Sequence, residues 1–374
     1  ELQIGSRVDG VMGEFWNGLS AIFQNNLMMR RTTKLASSIA HINGQKVVGA
    51  EAYTSEPESG RWQEYPFALK AVGDKAFTEG INRMVIHRYA MQPHPDAAPA
   101  MTLGPWGIHF DRTNTWWEPG RAWIDYLNRC QTLLQEGLFV ADFAYFTGDN
   151  IVGYTKVHRR DLNPVPPEGY DYDLMNTETL LNRAWVERGR LRLPDGMNYR
   201  VLVLQEQSHI TLGLLRKLRN MVEQGLIIVG ARPQQTVGLQ SYSVIEEKEF
   251  EQLCDELWGK AATTVVDRSV GKGRIFWETS LNLEQVLEKI QLRPDFEVST
   301  DSISAPIRYI HRQIGESDVY FVANQQRTSK ELICNFRVKG KIPEFWNPIS
   351  GERTRAMVYQ TNEETISVPV QLEA

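Results

Sequence analysis

The sequence predicts an α/β protein in three parts: half of an eight-stranded (β/α)8 barrel over residues 1–155, a small open-sheet α/β domain over 176–295, and an antiparallel β-sandwich-like domain over 296–374, with a linker at 156–175 after the first. Three observations lead to this. The chain has 374 residues, more than the roughly 250 to 300 at which one hydrophobic core stops growing. In the first part, short apolar runs alternate with longer stretches of helical periodicity, the pattern of βα units around a parallel sheet. Beyond Pro294 the runs become short and β-rich, punctuated by Gly and Pro.

Taken in order, the strand candidates of the first part are Val8 to Phe15, Lys46 to Tyr53, Arg83 to Tyr89 and Leu138 to Phe146. Between them lie helix candidates Ala21 to Ile39, Pro66 to Glu79 and Arg121 to Gln135, the last stopped by Gly137. Four such repeats make half a barrel. Pro164, Pro166, Pro167 and Gly169 among polar neighbours read as the linker. The second part then runs through a β segment at Tyr199 to Leu204 and a helix at Leu212 to Glu223, with Leu214, Leu215, Leu218 and Val222 at helical spacing. It continues with the apolar run Leu226 to Val229, a helix at Glu246 to Trp258, a strand at Arg274 to Glu278 and a helix at Leu283 to Ile290, an open sheet of the flavodoxin or glutamine-amidotransferase kind. The third part offers strands at Arg308 to His311, Val319 to Ala323, Leu332 to Val338, Arg355 to Tyr359 and Thr365 to Val370.

Composition narrows the function classes. Hydrophobic residues make up 42% and charged residues 23%, the balance of an ordinary globular protein. The net charge is −5, and Lys and Arg are scattered, so the electrostatic footprint of a nucleic-acid binder is absent and a neutral ligand is expected. No apolar run approaches the 18 residues of a membrane span, so no membrane partner is expected. Cys130, Cys254 and Cys334 lack zinc-site spacing and are expected to be buried thiols. Neither a G-x-G-x-x-G motif, a Walker phosphate loop nor a G-x-S-x-G elbow is present, so no organic cofactor is expected and the second part is not expected to be catalytic.

The chemistry is sought at the C-terminal ends of the barrel strands, where active sites of this architecture sit. Two acids meet that condition: Glu14 in Gly13-Glu14-Phe15-Trp16, and Glu51, which interrupts the apolar run Val47-Val48-Gly49-Ala50-Glu51-Ala52. Glycosidic cleavage needs one carboxylic acid to protonate the leaving oxygen and a second carboxylate to activate water or attack directly, and this pair supplies both. The alternative reading makes Glu51 a structural acid bonded to a buried Arg or a backbone N–H. His87-Arg88-Tyr89 at the next strand end and His109 in the following loop are directional hydrogen-bonding groups suited to sugar hydroxyls, and a packing role is open for either His. Six of the ten tryptophans fall in the first third. Trp116 and Trp117, adjacent in a polar loop, suit stacking on pyranose faces, where a core role would serve such rings equally. Glu56, Glu58, Glu64 and Asp74 read as a solvated face, and Asp142 as an Arg partner or loop holder.

Several runs are recognisable as a set. Ala40-His41-Ile42-Asn43-Gly44, Glu51-Ala52-Tyr53-Thr54-Ser55, Glu64-Tyr65-Pro66-Phe67, Gly80-Ile81-Asn82-Arg83-Met84-Val85-Ile86-His87, Asn114-Thr115-Trp116-Trp117 and Tyr126-Leu127-Asn128-Arg129-Cys130 resemble glycoside hydrolase family 106, the α-L-rhamnosidases. Weaker similarity extends to Asp195–Leu204 and Tyr320–Asn324, nearly the whole chain. The resemblance implies the C-terminal half of the barrel, with a further strand-end glutamate of the site in the half that precedes it in family members. It also implies inverting release of terminal α-L-rhamnose from rhamnose-containing oligosaccharides or polysaccharides, a calcium ion near the site with its ligands unassigned, and a periplasmic or secreted location. By motif Glu14 and Glu51 match family active-site glutamates. Which is acid and which base does not follow from the sequence; the reading taken here makes Glu51 the acid and Glu14 the base. The other reading is a non-catalytic carbohydrate-binding or structural fragment.

Overall fold

A computed structural model describes residues 1–17, 32–58, 60, 62–148, 156–205, 208–237, 244–260, 265–278, 282–299 and 307–373. The chain divides into two compact units, each assembled from separate pieces: Glu1–Val8, Ser38–Gln45 and Val140–Asp295 form one, and Asp9–Ser37, Lys46–Phe139 and Phe296–Ala374 the other. Among the described residues no helix is long and apolar enough to cross a membrane.

The second of these units begins with βα repeats. Its elements are β1 (Val11–Asn17), the start of α1 (Thr33–Asn43), β2 (Val48–Ser55), α2 (Pro66–Thr78), β3 (Arg83–Ile86) and α3 (Arg121–Leu134). The strands form a parallel sheet in the order β1-β2-β3. β2 is an almost unbroken small and apolar run, as a strand covered on both faces must be. Pro66 opens α2, where its missing N–H costs nothing. Asn82 ties the bases of the repeats together: its side chain accepts the Val48 N–H at 2.7 Å and donates to the carbonyls of Lys46 (2.8 Å) and Leu134 (3.2 Å). The expected helix Ala21 to Ile39 falls largely on residues 21–31, outside the described residues, and the helix seen, α1, runs on to Asn43.

The four-stranded half-barrel expected over 1–155 is corrected to three parallel strands, and no closed barrel forms among the described residues. The expected strand Leu138 to Phe146 is two strands, β4 (Leu138–Phe139) and β5 (Phe143–Phe146). β4 pairs antiparallel with the later strand Ile307–Ile314, and β5 joins a different sheet. Asp142 marks the break: its carbonyl accepts the N–H groups of Arg200 and Val201, and its carboxylate lies 3.3 Å from the Arg200 guanidinium, the Arg-binding role expected of it.

The other unit is built on a six-stranded sheet. With β6 (Tyr172–Met175), β7 (Val201–Val203), β8 (Ile227–Val229), β9 (Val265–Val270) and β10 (Gly273–Glu278), the order is β9-β10-β8-β7-β5-β6, parallel except for the β9–β10 hairpin. Helices Leu212–Glu223, Val244–Trp258 and Leu283–Lys289 match the sequence expectation closely. The expected linker is partly wrong: Arg159 gathers the carbonyls of Pro166, Pro167 and Tyr170, but Tyr172–Met175 is a buried strand of this sheet. In β6 the fully buried Asp173 accepts hydrogen bonds from Ser38 Oγ (3.0 Å) and Tyr199 Oη (2.8 Å) and pairs with His41 Nδ1 (3.0 Å). Satisfied on that many sides, a buried carboxylate specifies a packing rather than breaking it.

The C-terminal strands of the unit that holds the βα repeats are β11 (Phe296–Ser299), β12 (Ile307–Ile314), β13 (Ser317–Asn324), β14 (Lys330–Phe336) and β15 (Ile366–Leu372). They form two sheets, β11-β14-β15 with the short strand Gln360–Thr361, and β13-β12-β4. Phe296, Leu332 and Cys334 of one pack with Tyr309, Tyr320 and Val322 of the other, the shared core expected of a sandwich. The expected strand Arg355 to Tyr359 is not one: pairing stops at Arg355 and resumes at Gln360. All three cysteines are buried as expected, and burial pushes each thiol up to about 12.

Candidate active site

Parallel pairing sets Glu14 of β1 directly beside Glu51 of β2. Register partners in a parallel sheet point to the same face, so the two carboxylates the sequence singled out are neighbours. Both are half-buried. One residue further the register breaks: Phe15 pairs with Ala52, but Trp16 pairs with Thr54, leaving Tyr53 as an inserted residue. Tyr53 has φ +66°, a conformation L side chains adopt only under strong surrounding constraint. Packing supplies it, because the buried Tyr53 ring meets Phe15 edge-on at 5.0 Å and Trp123 at 5.3 Å. The bulge turns Thr54 toward Glu51, whose Oε1 accepts the Thr54 hydroxyl at 2.5 Å. It also leaves Asn17 and Ser55 paired at the strand ends.

β3 delivers His87 and Arg88. The His87 N–H donates to Ala52 O (2.9 Å), and the loop that returns alongside is held by Ile108 N to His87 O (3.0 Å), Arg88 N to Ile108 O (3.0 Å) and Gly107 N to Ser55 O (2.9 Å). A Cβ on Gly107 would stand 2.4 Å from His87 Nδ1, so only glycine lets this loop close on the imidazole. Burial lowers the His87 pKa, with the Glu51 charge opposing and Arg88 assisting; burial lowers that of His109 too, with Arg88 assisting and Asp111 opposing. Both imidazoles are therefore neutral near pH 7, each offering one donor and one acceptor. Arg88 anchors the loop, Nε to Trp106 O at 2.9 Å and Nη2 to Gly104 O, while its buried Nη1 has no hydrogen-bond partner.

The remaining candidates divide. His109 is buried and stacks on Trp62, ring centroids 3.7 Å apart and 17° from parallel. Trp116 and Trp117 are half-buried and pack with Phe110; Trp116 also meets Trp123 edge-on and donates Nε1 to Glu64 O at 2.7 Å. Their contacts are those of a packed aromatic cluster. Tyr89 is exposed, as is Trp106 in the adjoining loop. Two acids read as solvated are not: Asp74 is buried against Lys70 (2.8 Å) and Tyr126, and Glu64 is buried beside the strand ends. The calcium ion implied by the resemblance finds no group of three or more His, Cys, Asp or Glu side chains among the described residues. No step below uses such an ion.

Comparison with known proteins gives this arrangement its family. The family model described as alpha-L-rhamnosidase, glycoside hydrolase family 106, matches residues 1–361. A relative from Formosa agariphila named "Putative beta-glucuronidase" is 36% identical over 372 residues, covering 99% of this chain and 29% of its own length. The solved rhamnosidase of Novosphingobium sp. PP1Y superposes with a TM-score of 0.84 at 30% identity, over 100% of this chain and 34% of that one. A family-42 β-galactosidase from G. stearothermophilus shares the fold alone, with a TM-score of 0.54 at 10% identity over 99% of this chain and 60% of its own. The chain thus spans about a third of the length of the first two. It belongs to glycoside hydrolase family 106.

Proposed function

We propose that the protein this chain belongs to hydrolyses terminal α-L-rhamnosides of glycans with inversion, outside the cytoplasm, and that Glu51 and Glu14 are working carboxyls of its site. The observation that carries the reading is the in-register placement of the two glutamates beside the neutral imidazole of His87. The family match and the rhamnosidase superposition support the glycosidase class and its glycan substrate.

The register also limits how the pair divides the work. Neighbouring strands run about 4.8 Å apart. An inverting couple needs about 6.5 to 9.5 Å between its carboxyls, whereas a retaining couple needs about 5 to 5.5 Å. Under inversion, side chains leaving adjacent backbones have to splay to make room for water, or one working carboxyl comes from outside the pair. We favour the second, with that carboxyl in the part of the longer protein beyond this chain.

A second reading, β-glucuronoside hydrolysis, has specific support in the name of the 36%-identical relative and in the buried Arg88 guanidinium, whose Nη1 lacks a partner and suits a sugar carboxylate. Turnover of aryl α-L-rhamnoside and aryl β-D-glucuronide by the full-length protein separates the two. Rhamnoside cleavage at least a hundredfold faster is expected, and the reverse preference overturns the primary reading.

A further inference from the structure

In a regular strand side chains alternate between the two faces, so residues two apart share a face and residues three apart do not. Thr54 comes three residues after Glu51, and a continuous β2 would turn it to the opposite side. The register sends it elsewhere. Glu14 pairs with Glu51 and Trp16 with Thr54, so a two-residue step in β1 is matched by a three-residue step in β2. The extra residue is Tyr53, at φ +66°. This bulge returns Thr54 to the face of Glu51, where its hydroxyl donates to Glu51 Oε1 at 2.5 Å.

The bulge is held from behind. The Tyr53 ring lies against Phe15 and Trp123, and its hydroxyl donates to Met84 Sδ at 3.3 Å. Thr54 is itself only 2% exposed, so its hydroxyl is directed at a half-buried carboxylate and not at solvent. A glutamate side chain turns about several bonds, and tethering one carboxyl oxygen to a buried hydroxyl fixes the direction of the other. Catalysis is sensitive to such placement: a shift of about 1 Å can cost about a hundredfold.

We propose that Thr54 is a positioning residue for Glu51, fixing the direction of its carboxyl through the hydrogen bond that the bulge at Tyr53 makes possible. The inference rests on the glycosidase reading for its kinetic consequence, while the hydrogen bond is tested by stability alone. Its effect falls on kcat and not on KM, because a buried hydroxyl acts on the substrate only through the carboxyl it holds.

The test uses the full-length protein with Thr54→Val, which keeps the branched shape without the hydroxyl, and Thr54→Ser, which keeps the hydroxyl. With an aryl α-L-rhamnoside, Thr54→Val should lower kcat by about tenfold or more with KM within about twofold of wild type, and Thr54→Ser should recover most of the loss. Combined with Glu51→Gln, the same Thr54→Val should cost less than about twofold further, because no titrating carboxyl is left to position. An equal fold-loss in both backgrounds, or an unchanged kcat in Thr54→Val, overturns the proposal. Thermal melts decide the contact without turnover. Thr54→Val should lower the melting temperature of wild type by leaving a carboxylate without its donor, and should not lower that of Glu51→Ala, where the hydroxyl has already lost its acceptor. Equal falls overturn it. If wild type cleaves no rhamnoside, the function proposed above fails on its own account, and the melts still decide whether Thr54 holds Glu51.

Discussion

Glu51 illustrates how much a single residue owes to its surroundings. A carboxylate inside a mostly buried strand is costly unless hydrogen-bonded, and the Thr54 hydroxyl meets that need only because the bulge at Tyr53 carries it round. Glu51→Gln keeps the shape and the hydrogen-bonding capacity but removes the titrating group. In the full-length protein it should lower kcat/KM for an aryl rhamnoside by about a hundredfold or more, the usual range for a general acid or base, while the melting temperature stays within a few degrees. Near-normal turnover would make Glu51 a structural acid. The place of Glu51 inside a strand was legible because a charge interrupting an apolar run is a signal that lives in the sequence. Glu64 was not. Its backbone is held by Trp116 from a distant loop, and a glutamate between Gln63 and Tyr65 looks like any surface acid until that contact exists. The same holds for Asp74, whose partner Tyr126 is a whole βα unit away in sequence.

At the scale of elements, α2 carries its own constraint from the site. Gly73 lies within this helix, where alanine is ordinarily better by roughly 0.5 to 1 kcal/mol. Here a Cβ would stand 2.2 Å from the Tyr53 hydroxyl oxygen. Tyr53 is fixed by the bulge and by the rings of Phe15 and Trp123, so the clash cannot be relieved cheaply, and overpacking of this kind costs about 1 to 3 kcal/mol. Gly73→Ala should therefore lower the melting temperature and reduce activity with it, since the bulge positions Thr54 and Ser55. A stabilised Gly73→Ala would mean that Tyr53 moves freely and the bulge is soft. Helices were the elements most legible in sequence, because amphipathic spacing and stop signals are local: Leu212–Glu223 agrees to the residue, and α3 ends one residue before Gln135. Strands were less so. Leu138–Phe146 reads as one apolar run, and only the turn at Asp142 and the choice of partners divide it between two sheets. Tyr172–Met175 is four residues long behind a proline-rich stretch, too short for periodicity to announce it.

For the whole molecule, the informative relation is between three parallel strands and relatives about three times as long as this chain. Three strands bring together two glutamates in register and a histidine at the next strand end, which on the proposed reading is one wall of a sugar site. An inverting hydrolysis works from two sides of the anomeric carbon, one carboxyl protonating the departing oxygen and another activating water on the opposite face. Adjacent strands run only about 4.8 Å apart, close for a pair that must hold a water between its carboxyls. If the reaction inverts, the opposing carboxyl is expected outside this pair; if Glu51 and Glu14 are the acid and nucleophile themselves, their spacing favours retention. Proton NMR of the first sugar released from an α-L-rhamnoside by the full-length protein distinguishes these cases before mutarotation blurs them. Initial β-L-rhamnose is expected, and with it a third essential carboxyl outside this chain. Initial α-L-rhamnose would overturn inversion and make the register pair the complete catalytic couple, in which case substituting either glutamate, and no other carboxylate, should abolish turnover.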